Sequence, residues 1–380
     1  MKILLVTDTY ENQICGIETS IRILKHELLS LGHDVRVLLL SSNRTSKIVE
    51  NDYMIGSFSI RQIDVRQPLK FRDKIIDKII SWNPDIVHIQ TELFNGHTGV
   101  KIAHECSCPY INTSHTTWNE FTRGIIPNAT LRKHFSKKLL SKNYRNSSAI
   151  IVPSEKRAKI LLENNVTLPI HIIPTGLDLK IFNQSFDVGE LKSKLDLDND
   201  SKILIFIGRI GPEKNLDELI DYFTELILKD NNFRLIIVGD GIPVKKLKKM
   251  VRKLKIDKFV RFTGEVNQSE ISKYYKLGDV FVSPSTCETQ GLTYMEALAS
   301  SLPLVCRYDE SLDNVIENGY NGFTYTSKKE FIDCILKVFS DYEFLDELSV
   351  NALESSKKYT KEKFATDVEK IYLDVLSQKK

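Results

Sequence analysis

Short apolar runs alternate along this chain with longer stretches in which apolar residues recur every three or four positions. The runs Lys2–Thr7, Asp34–Leu40, Phe58–Val65, Pro84–Gln90, Tyr110–Thr113, Ala149–Val152 and Ile170–Ile173 read as strands. Several are apolar enough to be buried on both faces. Between them, Thr19–Leu31 places Ile21, Leu24, Leu28 and Leu31 on one helical face and stops at Gly32. Phe71–Ser81 carries a stripe of Ile75, Ile76, Ile79 and Ile80, Gly99–Glu105 begins another helix, and Ser154 caps one that runs through Leu162. Strands separated by helices predict a parallel sheet covered on both sides.

The pattern breaks at the loop Pro174–Asp178 and over the polar stretch Asn183–Asp200, then restarts. Strands at Lys202–Ile207, Phe233–Val238, Val260–Phe262, Val280–Ser283 and Leu302–Cys306 alternate with helices at Leu216–Leu228, Pro243–Lys253, Gln268–Leu277, Lys329–Ser340 and Phe344–Lys358, and a further helix opens at Leu292. The expected organisation is α/β: two doubly wound domains, 1–183 and 184–358, facing across a cleft, with the helix in 359–380 returning to the first. A chain of 380 residues suits two domains of ordinary size. Such domains bind ligands outside the carboxyl ends of their strands.

Composition narrows the class. With 42% hydrophobic and 27% charged residues the chain matches soluble globular proteins. No run approaches the roughly 18–20 apolar residues of a membrane span. Met1–Asp8 reads as a first core strand rather than a signal peptide, which predicts a cytoplasmic protein. The six cysteines are scattered without a CxxC pair, so reduced thiols and no metal site are expected. There is no P-loop, GxGxxG or GxSxG, which weakens ATPase, simple dehydrogenase and hydrolase readings. Residues 1–180 hold 24 basic and 17 acidic side chains, and residues 181–380 hold 29 and 33. The basic half suits an anionic partner, or is an uneven solvated surface.

The chemistry concentrates at strand ends. Ser283–Ala299 reads as a strand end, a polar turn closed by Gly291, and a helix starting at Leu292. Such a turn aims backbone N–H groups and the positive helix end at one point, an anion site. Glu288 and Glu296 bracket it. Carboxylates repel phosphate but accept from vicinal hydroxyls, so a ligand with a central diphosphate and hydroxylated rings, a nucleotide-sugar, fits; an ordinary α/β turn fits as well. Gly208–Asn215 follows an apolar strand and offers Arg209 and Lys214 to an anion. The glycines of Val238–Pro243 and the segment Thr263–Val266 make pocket walls or plain structural turns. The loop after the first strand, with Asp8 and Gly16, meets a phosphate or sugar, or else Asp8 caps a helix. His115 sits at a strand mouth and is the functional histidine candidate, whereas His88 lies within a strand and reads as a core residue.

Leu131–Arg145 carries six Lys/Arg and no acid, with Leu131, Phe135, Leu139 and Leu140 at helical spacing. Arg132, Lys133, Lys137 and Lys138 are candidates for contact with an anionic membrane, at about 1 kcal/mol per cation. A surface helix with its stripe packed inward is the plainer reading. Sparse aromatics disfavour nucleic acid.

With these residues in view, the chain resembles the retaining nucleotide-sugar glycosyltransferases of the GT-B fold, family 4 in particular. The resemblance covers most of the chain. Glu288-Thr-Gln-Gly-Leu-Thr-Tyr-Met-Glu296 looks like the family's paired glutamates, and Gly208-Arg209 with Lys214 looks like its diphosphate clamp. Val238–Pro243 resembles its Gly-Asp-Gly-Pro turn with Ile242 as an extra residue, and Cys15-Gly16 keeps one glycine of the usual pair. Glu288–Thr293, His88–Glu92 and Ser114–Thr116 are similar to bacterial diacylglycerol glycosyltransferases. The Asp8–Gly16 and Trp118–Phe121 segments depart from that subgroup.

The resemblance implies metal-independent transfer of a hexose, with retention, from a UDP-sugar such as UDP-glucose, without a cofactor. The acceptor is a membrane lipid such as diacylglycerol, or alternatively a saccharide or polyprenyl-linked glycan. A catalytically silent nucleotide-sugar-binding module is the non-enzyme reading. In the implied site Glu296 holds the ribose and Glu288 the donor sugar. Arg209 and Lys214 stabilise the leaving diphosphate, and His115 touches the sugar. Gly16, Gly239, Val266, Thr289, Gln290, Gly291 and Leu292 line the donor. No protein base is assigned, and the expected location is the inner face of the plasma membrane, as a peripheral protein.

Overall fold

In a computed structural model the chain is described over all residues except 11–12, 14, 61–64, 71–72, 119–121, 123–125, 127 and 379–380. Part of the expected strand Phe58–Val65 and of the segment Trp118–Phe121 lies outside the described residues. The chain divides into two compact units, Met1–Gly176 with Lys361–Lys380, and Leu177–Thr360. Leu177 and Phe182 are buried in the second unit's core, so residues 177–183 belong to it rather than to the first.

The first unit is built on an eight-stranded sheet: β1 (Lys2–Tyr10), β2 (Asp34–Leu40), β3 (Lys47–Val49), β4 (Asp52–Ile55), β7 (Ile86–Ile89), β8 (Tyr110–Thr113), β9 (Ile150–Val152) and β10 (Ile170–Ile172). Its order is β10-β9-β8-β7-β1-β2-β4-β3, parallel except for the β3–β4 pair. Successive side chains of a strand point to opposite faces. Accordingly Ile3 and Leu5 enter one core cluster and Leu4 and Val6 another, which is why the strand reads as a continuous apolar run. The second cluster is covered by the Ile75, Ile76 and Ile79 stripe of the helix Lys74–Trp82. The first is covered by the helix Gly16–Ser30 and by the C-terminal helix Lys361–Ser377, through Phe364, Val368, Ile371, Tyr372 and Val375. Five such side chains, at about 1.5–3 kcal/mol each, hold that helix to the first unit with on the order of 10 kcal/mol before ordering entropy is charged. The ion pair Lys361–Glu27 (3.3 Å) and the hydrogen bond between His33 Nε2 and Glu369 Oε1 (2.6 Å) set its position.

The sequence reading needs two corrections here. The run expected as one strand over Phe58–Val65 is two antiparallel strands, β5 (Ser57–Ile60) and β6 (Val65–Pro68), paired from Ser57↔Pro68 to Ile60↔Val65. A period-two pattern continues unchanged through a reversal, so periodicity did not mark it. The β3–β4 hairpin, with Glu50 at φ +52°, also escaped the apolar pattern because its first strand is a solvent-facing edge.

The second unit holds a six-stranded, wholly parallel sheet: β11 (Lys202–Ile207), β12 (Phe233–Val238), β13 (Val260–Gly264), β14 (Val280–Ser283), β15 (Leu304–Arg307) and β16 (Gly322–Tyr325), in the order β13-β12-β11-β14-β15-β16. Leu204 and Phe206 face one core cluster, and Ile203, Ile205 and Ile207 face the other. The order reverses between β11 and β14, and in the first unit between β1 and β7. In doubly wound sheets the loops leaving such a pair diverge and open a crevice at the strand ends.

Candidate functional site

In the second unit, the loops leaving β11, β12, β13 and β14 carry the donor residues predicted there. Glycine is required where they pass each other. Gly208 N–H donates to Val238 O at 3.0 Å, and Ile210 N–H to Asp240 O at 2.9 Å. A Cβ at Gly239 (φ +131°) would lie 2.0 Å from Gly208 O. Backbone meets backbone there, and any larger residue pushes the β11 loop away. Gly239 N–H donates to Gly264 O at 2.9 Å, which brings the segment leading to Val266 alongside.

Beyond Gly208 the chain makes a 3-10 turn, Pro212–Lys214, closed by Asn215 at φ +51°. Lys214 Nζ forms an ion pair with Glu288 Oε1, and Asn215 Nδ2 donates to Pro284 O at 3.3 Å. The loops after β11 and β14 are therefore joined at the switch point. Arg209 bends back to Glu213 Oε1 at 2.5 Å and keeps a well-exposed guanidinium. The Lys214–Glu288 pair is mostly shielded from solvent. A cation and a carboxylate thus sit side by side at one spot, where the sequence reading assigned them to different parts of a ligand.

Gly291, at φ +75°, starts the helix Leu292–Ala299 and, as a glycine, brings no side chain of its own to cap that end. A Cβ on Gly291 would lie 2.3 Å from the Tyr294 ring. Tyr294 in turn bonds Ser283 Oγ at 3.0 Å and reaches Glu288 Oε1 at 3.5 Å. Gln290 is buried, between the exposed Thr286 and the helix. Glu296 accepts from the buried Tyr275 hydroxyl at 2.7 Å, and burial raises its carboxyl above the usual carboxylate range, a shift that the Tyr275 bond opposes. The sequence singled out neither Tyr275 nor Tyr294. Tyr294 lies on the helix three residues past Gly291, a spacing that puts it on the turn's own face.

In the first unit, Asp8 is a helix cap. Its Oδ1 accepts from Asn95 N–H at 2.7 Å, and its Oδ2 accepts from Leu93 N–H at 3.1 Å and Thr91 Oγ at 2.7 Å. The ligand alternative for Asp8 loses its free oxygens to the start of the helix Phe94–Glu105. Gly16 is exposed and opens the helix Gly16–Ser30.

His115 Nε2 lies 2.8 Å from Gln90 Oε1, Gln90 Nε2 lies 3.1 Å from His88 Nδ1, and His88 bonds Tyr372 Oη and Thr113 Oγ1, each at 2.6 Å. Burial lowers the His88 imidazole to about 3 and that of His115 to about 4, with Arg157 adding to the effect on His115. Both rings are neutral at physiological pH. His88 is thus a bonded core histidine, connected to His115 by one glutamine. Gln90 was legible: two residues on from His88 in an extended segment, it shares that face. Tyr372 was not, because nothing in the order of the chain places residue 372 against residue 88.

Behind His115 lies a second polar cluster that the sequence reading did not contain. Glu92 accepts from Tyr144 Oη at 2.6 Å, Trp118 Nε1 at 3.0 Å and Ser114 Oγ at 3.2 Å, while buried Arg157 donates to Ser114 Oγ through Nη2 at 2.7 Å. Burial raises the Glu92 carboxyl, and these bonds and the Arg157 charge oppose the shift. The cluster fastens the helix Ala129–Tyr144 to the strand ends. Leu140 and Tyr144 of that helix are buried, whereas Leu131 is 60% and Phe135 39% exposed beside the exposed Lys133, His134, Lys137 and Lys138. The expected single apolar stripe is therefore divided, inward at the C-terminal half and outward at the N-terminal half. Arg132 turns back, donating to Ile126 O at 2.9 Å, and is only partly exposed.

Among the described residues no three His, Cys, Asp or Glu side chains converge in a metal-binding group, and no helix is long and apolar enough to cross a membrane.

Comparison with known proteins agrees with this architecture. Residues 14–181 match the model of Glycosyltransferase Family 4, and residues 187–355 match Glycosyl transferases group 1. The alpha-monoglucosyldiacylglycerol synthase of Acholeplasma laidlawii is 33% identical over 395 residues, covering 100% of this chain and 98% of that protein. The synthase of the same name from Streptococcus pneumoniae is 31% identical, covering 99% of this chain and 86% of its own. Among solved structures, Anabaena HepE in complex with UDP and glucose superimposes with a TM-score of 0.79 at 16% identity, over 98% of this chain and 100% of that one. With both of its units matched and full-length relatives above 30% identity, the chain belongs to the group 1, family 4 glycosyltransferases and has their GT-B fold.

Proposed function

We propose that this glycosyltransferase moves glucose, with retention and without a metal, from UDP-glucose to diacylglycerol at the cytoplasmic face of the membrane. The observation that carries the donor assignment is the turn Pro284–Gly291. It brings the N-terminal end of the helix Leu292–Ala299 between Glu288, paired to Lys214, and the part-buried Glu296. Glu296 accepts from the ribose hydroxyls, and Glu288 from hydroxyls of the transferred sugar. Lys214 and Arg209 stabilise the negative charge that grows on the diphosphate as the bond to the anomeric carbon breaks. Thr289, Gln290 and Leu292 contact the donor along this turn, with Gly16, Gly239 and Val266 as further walls. His115 touches the sugar. The full-length likeness to two alpha-monoglucosyldiacylglycerol synthases supports the lipid acceptor, and the UDP and glucose in the HepE complex support the donor. The basic outward half of the helix Ala129–Tyr144 supports contact with an anionic lipid surface.

The test is a panel of nucleotide-sugars crossed with diacylglycerol, lipid-linked sugars and free sugars, with products read by mass and anomeric configuration by NMR, in the presence and absence of EDTA. Formation of an α-glucosyl lipid from UDP-glucose, unaffected by EDTA, is the expected result. Glucose transfer to a soluble or polyprenyl-linked sugar alone overturns the acceptor assignment.

A further inference from the structure

The line Tyr372–His88–Gln90–His115 has a polarity, and it is decided at the tyrosine. The Tyr372 hydroxyl is buried, and its hydrogen-bond partner among the described residues is His88 Nδ1. A buried hydroxyl hydrogen without an acceptor loses its solvation with no return. Tyr372 therefore donates, and His88 Nδ1 accepts with its lone pair. The His88 ring proton then sits on Nε2 and is donated to Thr113 Oγ1. Gln90 faces the same unprotonated Nδ1, so it must present its NH2 there. Its oxygen is left facing His115 Nε2, and an amide oxygen only accepts. The His115 proton is thereby held on Nε2. Nδ1 of His115 remains as a lone pair with no partner among the described residues. Reversing the amide would protonate His115 on Nδ1 instead, and would strand the Tyr372 hydrogen. Because burial keeps both imidazoles neutral at physiological pH, each has a tautomer to be chosen.

We infer that Tyr372, on the C-terminal helix, acts through His88 and Gln90 to fix the tautomer of His115, so that His115 meets its ligand as a hydrogen-bond acceptor at Nδ1. Such an atom takes the hydrogen of a sugar hydroxyl and disfavours a carbonyl, carboxylate or phosphate oxygen, which has no hydrogen to give. Tyr372, His88 and Gln90 are positioning residues. That the hydroxyl belongs to the donor sugar rests on the UDP-sugar reading; the tautomer itself does not.

Ring-15N histidine NMR on the full chain at pH 7.5 tests this, with His115→Ala used to identify the His115 signals. The wild type is expected to show His115 as the Nε2–H tautomer alone. Tyr372→Phe keeps the ring packed in the helix and removes the deciding donor, and is expected to give a mixture of tautomers, with kcat/KM for UDP-glucose lowered about three- to tenfold. Gln90→Leu gives the same mixture and serves if Tyr372→Phe does not fold. Gln90→Glu keeps an acceptor oxygen towards His115 Nε2. It is expected to return His115 to Nε2–H while moving the acid limb of the kcat/KM profile to higher pH, which a merely structural role for Gln90 would not do. An Nδ1–H tautomer in the wild type, or pure Nε2–H in both Tyr372→Phe and Gln90→Leu, overturns the inference. Failure of the wild type to use any UDP-sugar overturns the donor reading, and the tautomer spectrum still decides this one.

Discussion

Glu288 and Lys214, 74 positions apart in sequence, form an ion pair that ties the loop after β14 to the loop after β11. The two side chains are only 11% and 18% exposed, so the pair is largely removed from water. Removing one partner strands a shielded charge, whereas replacing both with neutral groups removes the problem. Lys214→Met and Glu288→Gln singly are each expected to cost about 2–4 kcal/mol of stability, and the double variant less than the sum. Urea unfolding of the four proteins measures this. Activity follows a different rule. Each single variant is expected to lower kcat by roughly 10²–10³, because in the proposed site each removes a group that acts on the reacting end of the donor, and the double variant does not recover it. Recovery of turnover in the double variant would mean that the pair is a structural clamp only.

Glu296 makes a prediction about pH. Its carboxyl is raised by burial, so it protonates at a higher pH than an ordinary glutamate. The ionised form is the one that accepts from two vicinal hydroxyls. UDP affinity is therefore expected to fall as pH is lowered from 7.5, starting above the usual carboxylate range. Glu296→Gln binds more weakly at pH 7.5 and shows less of this pH dependence. Calorimetric titration with UDP across pH, on both proteins, separates the Glu296 contribution from protonation of the nucleotide. For stability the sign is the reverse. A raised folded-state pKa means that the folded state holds the extra proton, so this group's contribution is fully present at low pH and is lost as pH rises through the shifted value.

Asp8 is expected to act on stability. Asp8→Ala leaves two backbone N–H groups and the Thr91 hydroxyl without their acceptor, at an expected cost of about 1–3 kcal/mol. Asp8→Asn keeps one acceptor oxygen and is expected to cost less. Thermal unfolding ranks the two variants. Activity per folded molecule stays within a few-fold of wild type, and a loss of 10²-fold or more in a folded Asp8→Asn would return Asp8 to the chemistry.

These contrasts show which features could be read from the chain alone. Strand runs such as Lys202–Ile207 were legible because both faces are covered, and the paired glutamates because their turn and helix are contiguous. The Asp8 cap is not legible in sequence, since its three donors are more than 80 residues away. Tyr372, Arg157 and Tyr275, which stand 284, 43 and 21 positions from His88, Ser114 and Glu296, are not legible either. A buried polar group needs partners, but sequence does not say which distant residue supplies them. Periodicity also failed at the helix Ala129–Tyr144, where apolar residues at one spacing serve two surroundings along its length.

His88 and His115 give a second pH prediction. His88 is held down to about 3 and His115 to about 4, so between about pH 6.5 and those values the unfolded chain binds protons that the folded protein does not. Stability from these groups is present above that window and lost as pH falls through it, at up to about 1.4 kcal/mol per pH unit for each. Buried carboxyls such as Glu92 change in the opposite sense, so the difference between two proteins is the cleaner quantity. The stability gap between wild type and His88→Gln is expected to narrow steadily from pH 6.5 to 4.5. Denaturant titrations at half-unit intervals check it, and a constant gap means that His88 is not held neutral.

The outward half of the helix Ala129–Tyr144 yields the last prediction. Leu131 and Phe135 are exposed on one side of this helix together with Lys138, and Lys133 and Lys137 are exposed on its other side, within a Debye length (~8–10 Å) of the same lipid surface. At about 1 kcal/mol per cation near an anionic lipid surface, Lys133→Gln with Lys137→Gln is expected to weaken binding to phosphatidylglycerol-containing vesicles by one to two orders of magnitude. Leu131→Ser with Phe135→Ser weakens it too, but differs in salt response. The lysine contribution is screened as ionic strength rises, whereas the apolar contribution persists. Arg132→Gln is expected to have a smaller effect, because that guanidinium is engaged with the Ile126 carbonyl. Co-sedimentation at low and high salt, with neutral vesicles as the control, reads all three. Activity on a detergent-dispersed acceptor should be nearly unchanged in the same variants, since none touches the donor residues. Equal binding of wild type and the double lysine variant at low salt would remove this helix from the membrane contact.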